Sequence, residues 1–473
     1  MSEISEIKTR EEADIILDEI VSQAYLCMEC GRCTGSCPIV ELFPDYFHPH
    51  HLLSDLTNDP EKVLRGSELW FCASCYKCNA ICPQALEYPY FIMQLRSLAV
   101  KKYGINPLRK AFNRIKTEIP FPVSFLSVCI HPERINLEPS ILEKLHREHQ
   151  SSKKKARFRA TGPKIGVVGS GPAGLMGAYE LSKKGYQVTI FESNSDPGGM
   201  FTVAIPEYRV PLKIVLDEIK QIQDSGIEIR TNTKFGRDIS LDEIFREDFK
   251  AILLASGAHA CKELGINGEN YQGVFTTLEF LTALKIKNKK VTGKTVVVIG
   301  GGNTAMDAAA AAMRYGAKEA TLLYRRTREE MPADMNEIRE AEKDGVQIRF
   351  LEAPVGIHGV KSKLSQVECI KMQLGEPDMS GRRRPVPVEG SNFVLETDNL
   401  VIAIGEKPQL ESFPVEIAKG KDNTILVNPM TMETSIPGVF AAGDTVLGPA
   451  TVPDAIIGAR RAASGIENYI KTS

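Results

Sequence analysis

Lys164-Ile165-Gly166-Val167-Val168-Gly169-Ser170-Gly171-Pro172-Ala173-Gly174 passes from a short apolar run into three glycines spaced G-x-G-x-x-G. The run reads as a buried strand and the glycines as its turn into a helix. The first glycine permits the tight turn, the second lets the backbone approach a pyrophosphate, and the third lets helix pack on strand. Pro172 and Ala173 open the helix, whose amino terminus presents its positive dipole end to phosphates. Outward from this stretch, Gln187-Val188-Thr189-Ile190-Phe191 is the next strand. Glu192 ends it, 192 − 169 = 23 residues after the first glycine, where a carboxylate accepts hydrogen bonds from ribose hydroxyls.

The same plan recurs. Thr295-Val296-Val297-Val298-Ile299 leads into Gly300-Gly301-Gly302-Asn303-Thr304-Ala305, an alanine-rich helix, and the strand Thr321-Leu322-Leu323-Tyr324. Ala305 stands where the third glycine would be. This second unit ends in Arg325 and Arg326 instead of a carboxylate. Guanidinium groups there favour a 2′-phosphate through charge-assisted bonds, so NADP(H) is expected ahead of NAD(H). Strands alternating with helices imply an α/β fold with two doubly wound, Rossmann-like dinucleotide-binding domains. Gly198-Gly199-Met200 follows the first unit, and Val439-Phe440-Ala441-Ala442-Gly443-Asp444 near the carboxy terminus resembles the flavoprotein motif whose aspartate binds the ribityl chain, which implies that the first site takes FAD. Thr451 and Val452 then open a helix whose backbone N–H groups would face the flavin. The NAD(P) domain is expected at 288–404, inserted in an FAD domain of 163–287 and 405–473.

Eight of the eleven cysteines fall in two motifs, Cys27-x2-Cys30-x2-Cys33-x3-Cys37-Pro38 and Cys72-x2-Cys75-x2-Cys78-x3-Cys82-Pro83. In this spacing three close thiolates wrap one 4Fe–4S cubane while the fourth reaches the other cluster. Cys27, Cys30, Cys33 and Cys82 are therefore expected to hold one cluster, and Cys72, Cys75, Cys78 and Cys37 a second. A pair of structural zinc sites is the alternative, although zinc has no use for a third close cysteine followed by Cys-Pro. Residues 1–110 should form a small helical ferredoxin-like domain. Residues 111–162, with their scattered prolines and the basic run Lys153-Lys154-Lys155, read as a surface linker. Cys129, Cys261 and Cys369 read as isolated small apolar residues.

The segment from Cys27 to Pro83, with Trp70 just before the second motif, resembles the small iron–sulfur subunit of heterodisulfide reductases. It is also similar to the iron–sulfur subunits of anaerobic glycerol-3-phosphate and succinate-type dehydrogenases. Residues 163–469 resemble the small subunit of bacterial glutamate synthase, on Ala204-Ile205-Pro206-Glu207-Tyr208-Arg209-Val210-Pro211, the NTAMDAA helix start, YRRTREEMPA and the terminal AAGDTVLGPATVPDAI. The same module occurs in the large subunit of NADH-dependent ferredoxin:NADP oxidoreductase and in dihydropyrimidine dehydrogenase. The resemblance implies that Arg209 lies beside the flavin and that electrons pass to a partner subunit. Unlike those relatives, both cysteine motifs here are complete, and there is no C-x4-C pair after the first strand–helix unit.

Basic and acidic side chains nearly cancel, 58 against 60, which argues against nucleic acid as a partner. The acidic amino terminus and the lack of any apolar run near 18 residues lead us to expect a cytoplasmic protein with no membrane span. FAD, two 4Fe–4S clusters and NADP(H) would carry the chemistry, so no catalytic acid, base or nucleophile is expected. The expected activity is NAD(P)H oxidation with electrons leaving to a partner subunit or a ferredoxin-like carrier. A stand-alone NAD(P)H:ferredoxin reductase, or the small subunit of a glutamate synthase, is the other reading.

Overall fold

A computed structural model describes residues 10–152, 158–285, 294–378 and 381–472. The basic run at 153–155 and the expected domain boundary at 287/288 lie outside them. The chain divides into two compact units. One takes in the described residues up to Phe201, Glu207–Gly257, and those from Leu410 on; the other comprises Thr202–Pro206 and Ala258–Gln409.

The first unit is built on a five-stranded parallel sheet. Its order is Val439–Ala441, Phe249–Leu254, Lys164–Val168, Gln187–Phe191 and Glu228–Arg230. Lys164–Val168 and Gln187–Phe191 are buried along their last four residues, as strands covered on both faces must be. The strand Val439–Ala441, nearly 200 residues further on, completes the sheet, so the second unit is inserted in the first as expected.

The second unit carries its own five-stranded parallel sheet, ordered Val274–Thr276, Asn399–Ile402, Thr295–Ile299, Glu319–Tyr324 and Gln347–Phe350. Its edge strand Val274–Thr276 and the following helix Thr277–Lys285 come from residues expected in the FAD domain. An antiparallel sheet, absent from the expectations above, is centred on Lys363–Pro377 and flanked by Glu352–Val360, Arg383–Pro387 and Phe393–Glu396. It buries Val367 and Cys369 in a small apolar core with Leu323 and Leu400.

The amino-terminal part is helical. Short helices surround a core of Trp70, Phe43, Phe71, Ile92 and Leu95, each almost wholly buried. The expected linker at 111–162 is corrected: it holds the rest of helix Asn106–Glu118 and the helices Pro122–Ile130 and Pro139–Ser152, and it buries Phe112, Phe121 and Phe125. Pro122 and Pro139 are the first residues of their helices. A proline costs nothing there, since that N–H has no intrahelical acceptor and φ is already helical. Phe121 meets Phe201 of the first unit edge to face, with ring centroids 5.6 Å apart. Glu218, fully buried, accepts from Val123 N (2.7 Å), Ser124 N (3.1 Å) and Ser124 Oγ (2.6 Å), capping the helix that Pro122 begins.

Candidate redox centre

The two cysteine loops are conformational copies. Glu29 and Ser74 (φ 50° and 48°) and Gly31 and Tyr76 (φ 72° and 58°) are left-handed at the same two places of the motif. Three of the four carry a Cβ, and each such residue costs about 1–2 kcal/mol. The loops therefore hold a costly shape, and in the first it brings Cys27, Cys30 and Cys33 to one cavity. Each runs into a five-residue helix, Arg32–Ser36 or Lys77–Ile81. That helix ends at the fourth cysteine, Cys37 or Cys82, in extended conformation with ψ 117° and 119°. The following Pro38 and Pro83 enforce this, because a residue before proline is driven out of the helical region.

The redirected fourth cysteine crosses over. Cys27, Cys30, Cys33 and Cys82 line one cavity together with His50 and Tyr88, and Cys78 reaches the same wall. His50 Nδ1 lies 2.6 Å from Thr34 Oγ1. Cys37 sits instead with the second loop. Burial, then the proximity of Cys72 and Cys75, pushes its thiol up to about 12, and burial pushes Cys75 to about 11. Thiols so crowded and shielded would stay protonated on their own; a cationic iron–sulfur core is the kind of group that would hold them ionised. All eleven cysteines are free of disulfides. Cys129 and Cys369 are buried as expected and Cys261 half-buried.

The first glycine loop fits a dinucleotide. Gly169 takes φ +97°, and a Cβ on Gly174 would stand 1.9 Å from Gly169 O. Gly171 and Gly199 pack backbone to backbone, so that a Cβ on Gly199 would lie 2.8 Å from the Gly171 Cα. Pro172 and Ala173 begin the helix Pro172–Lys183, and Met200 begins Met200–Val203. Glu192, buried, does more than end its strand. Its carboxylate accepts from Ser170 N (3.0 Å), Ser170 Oγ (2.5 Å) and Asn194 N (2.8 Å), tying the glycine loop to the next strand. Gly443 has φ +72°, and a Cβ there would crowd Ala173 at 2.9 Å, which brings the carboxy-terminal motif onto the glycine helix. Asp444 Oδ1 accepts from Ala450 N at 3.2 Å. Thr451 Oγ1 donates to Asp454 Oδ2 (2.6 Å) at the start of the helix Val452–Thr472.

The cysteine loops and this helix meet. Lys77, between Cys75 and Cys78, donates from Nζ to Asp454 Oδ1 at 2.6 Å. Arg461 of the same helix pairs with Glu41 at 2.7 Å, and Arg460 with Glu118.

Arg209 lies in an internal ion cluster. It is buried, and its Nε donates to Glu133 Oε1 at 2.8 Å within a cluster that also holds His131 and Arg134. Burial, then the Arg134 and Arg209 charges, pulls the His131 imidazole down to about 4. Burial alone would raise the Glu133 carboxyl, but Arg209, His131 and Arg134 together hold it far below the usual range. Sequence spacing could not show this cluster, because Glu133 and Arg209 are 76 residues apart.

In the second unit Gly300 turns with φ +149°, and a Cβ on Gly302 would meet nothing within 4 Å, leaving an open cradle at the helix Asn303–Arg314. Asn303 Nδ2 donates to Asp334 Oδ2 (2.9 Å), Thr304 follows it, and Ala305 is fully buried. The two arginines part company. Arg326 is buried, with Nε donating to Arg383 O (2.7 Å) and a terminal nitrogen paired with Asp378 (2.8 Å). Arg325 is exposed at its surface, but its flank is desolvated by the protein, and this, with the nearby Arg326 and Arg382 charges, lowers its pKa. Of the two, only Arg325 is open to solvent.

Fold and sites together define two Rossmann-like dinucleotide-binding sheets with a helical, cysteine-rich domain ahead of them. Residues 163–461 match the pyridine nucleotide-disulphide oxidoreductases and residues 23–86 a 4Fe-4S dicluster domain. The chain belongs to the pyridine nucleotide-disulphide oxidoreductase family. It is 45% identical over 314 residues to the NADP(+)-dependent formate dehydrogenase subunit beta of Moorella thermoacetica, covering 66% of this chain and 44% of that one. It is 37% identical over 435 residues to the NADPH-Fe(3+) oxidoreductase subunit beta of Geobacter sulfurreducens, covering 83% of this chain and 63% of that one. The glutamate synthase [NADPH] small chain of Escherichia coli is 34% identical over 341 residues, 66% of this chain and 70% of that one. This chain thus spans about half the length of the first two relatives. In fold it is similar to FprA of Mycobacterium tuberculosis (TM-score 0.54, 18% identity, 66% of this chain and 85% of that one). Among the described residues no helix is long and apolar enough to cross a membrane.

Proposed function

We propose that this chain relays electrons between NADP(H) and a partner protein, as one subunit of a larger cytoplasmic redox complex. The observation that carries this reading is the Lys77–Asp454 contact, which seats the second cysteine loop on the opening turn of the carboxy-terminal FAD-site helix. Cys27, Cys30, Cys33 and Cys82 would hold one 4Fe–4S cluster around their shared cavity, and Cys37, Cys72, Cys75 and Cys78 the other. FAD would lie on Gly169, Gly171, Gly174 and Gly199, with Gly443 and Asp444 at its ribityl chain and the N–H groups after Thr451 and Val452 at its ring. NADP(H) would take the Gly300–Gly302–Asn303 turn, with Arg325 at the 2′-phosphate. When bound, the flavin converts the two-electron chemistry of the nicotinamide to the one-electron steps of clusters.

The protein's own part is placement. Lys77 and Asp454 hold cluster loop and flavin helix in register, and Glu192 and Ser170 fix the phosphate loop. The relatives named as beta subunits, of a formate dehydrogenase and of an NADPH-Fe(3+) oxidoreductase, support a partner polypeptide. Anaerobic purification followed by iron, sulfide and flavin assays, with EPR after NADPH addition, tests the reading. About eight irons and about one FAD per chain are expected, with cluster signals appearing on NADPH. Zinc in place of iron overturns it.

A further inference from the structure

Arg96, on the helix Tyr88–Tyr103, is wholly buried. Its Nε donates to Leu69 O (3.1 Å), and its two terminal nitrogens to Cys129 O (3.2 Å), Ser74 Oγ (3.4 Å) and Cys72 O (2.5 Å). Its guanidinium carbon lies 5.8 Å from the centre of the Trp70 ring. Every one of these partners is neutral, and among the described residues no carboxylate pairs with it. A guanidinium cannot shed its proton, and an uncompensated buried charge is costly even when hydrogen-bonded.

The groups near Arg96 that can carry negative charge are Cys72, Cys129 and Tyr88. Of these, Cys72 belongs to the second cysteine loop. Arg96 holds that loop at Cys72 O and Ser74 Oγ, while Ser74 N points at Cys72 Sγ from 3.4 Å. Among the described residues the first loop has no such partner, for Arg32 beside its cavity is exposed and screened by water.

We propose that Arg96 is the counter-charge of the cluster held by Cys37, Cys72, Cys75 and Cys78, and raises its reduction potential relative to that of the Cys27, Cys30, Cys33 and Cys82 cluster. Reduction adds one electron and no proton to a site that already carries thiolate charge. A fixed cation in a water-free setting favours the more negative form, so Arg96 makes the cluster nearest the flavin helix the easier one to reduce. The inference rests on the two-cluster reading above.

The test is an anaerobic EPR-monitored redox titration of the full-length, cluster-loaded protein with Arg96→Gln and Arg96→Lys. In Arg96→Gln one midpoint should become more negative by about tenfold in the reduction equilibrium, ~59 mV for a one-electron couple. The other midpoint should stay in place, and Arg96→Lys, which keeps the charge but not the fork, should titrate close to wild type. Should Arg96→Gln load only one cluster while Arg96→Lys loads both at wild-type potentials, the requirement for charge is again upheld. The proposal is overturned if Arg96→Gln keeps both clusters with neither midpoint moved or both moved alike, or if Arg96→Lys loses or shifts a cluster as Arg96→Gln does. Iron content separates the layers: wild-type protein with about four irons sinks the two-cluster reading itself, whereas about eight irons with unmoved potentials sinks only the role of Arg96.

Discussion

A methyl group on Gly174 would stand 1.9 Å from the Gly169 carbonyl oxygen, well inside contact distance, so the loop would have to open. Overpacking of this kind costs about 1–3 kcal/mol. Gly174→Ala should therefore lower FAD affinity about tenfold or more, measured by flavin fluorescence on dialysis. The arginines after the second unit make a sharper pair. Arg325→Ala should weaken NADPH by about 1.5–3 kcal/mol, the loss of a charged hydrogen bond, and leave NADH affinity unchanged. Arg326→Ala should instead lower the melting temperature, because it removes the buried donors to Asp378 and Arg383 O. Equal losses of NADH and NADPH binding in Arg325→Ala would count against the 2′-phosphate assignment. Both arginines are legible in the sequence as cations at the right strand end. Which of them is spoken for is not, because Asp378 lies 52 residues from Arg326 and reaches it only through the antiparallel sheet.

The helices between 111 and 152 escape a reading of the sequence for one reason. Prolines at 122 and 139 look like breaks, yet each sits in the first helical turn, the one place where proline supports a helix. Telling the two cases apart requires knowing which face the helix buries and what meets its first N–H groups. Pro122–Ile130 buries Phe125, Leu126 and Ile130, and Glu218 from a distant helix accepts from its opening N–H groups. Glu218→Ala should cost about 2–3 kcal/mol, since two buried backbone donors and Ser124 Oγ lose a charged acceptor. Glu218→Gln should recover part of it, read by anaerobic chemical denaturation. The neighbouring His131 sets a pH dependence. Its ordinary pKa of 6.5 falls to about 4 on folding, so between these values the unfolded chain takes up a proton that the folded chain refuses. Stability is therefore full above pH 6.5 and declines as pH falls toward 4. Melting temperatures should drop over that window and drop less in His131→Asn; a flat profile would contradict the burial of a neutral imidazole.

For the whole molecule, the deciding contact joins residues 377 apart in the chain, Lys77 and Asp454. As a partly exposed ion pair it contributes little stability, about 0–1 kcal/mol. Its consequence is alignment. Lys77→Glu places like charges together and should slow the appearance of cluster EPR signals after NADPH in rapid-freeze experiments, with iron and flavin contents unchanged. Wild-type kinetics in that variant would show that the loops find the helix without it. The two glycine turns and the eight cysteines can be read from the chain alone. They are patterns of spacing within a few turns of backbone, and local sterics enforce them. Packing settles the rest: Arg209 and Arg326 are held in internal ion pairs, Arg96 is buried against the Cys72 loop, and the proline-rich stretch after residue 110 is a set of packed helices. Those outcomes depend on charge and apolar surface brought together from distant positions, and a buried charge accepts its partner from wherever the fold delivers one.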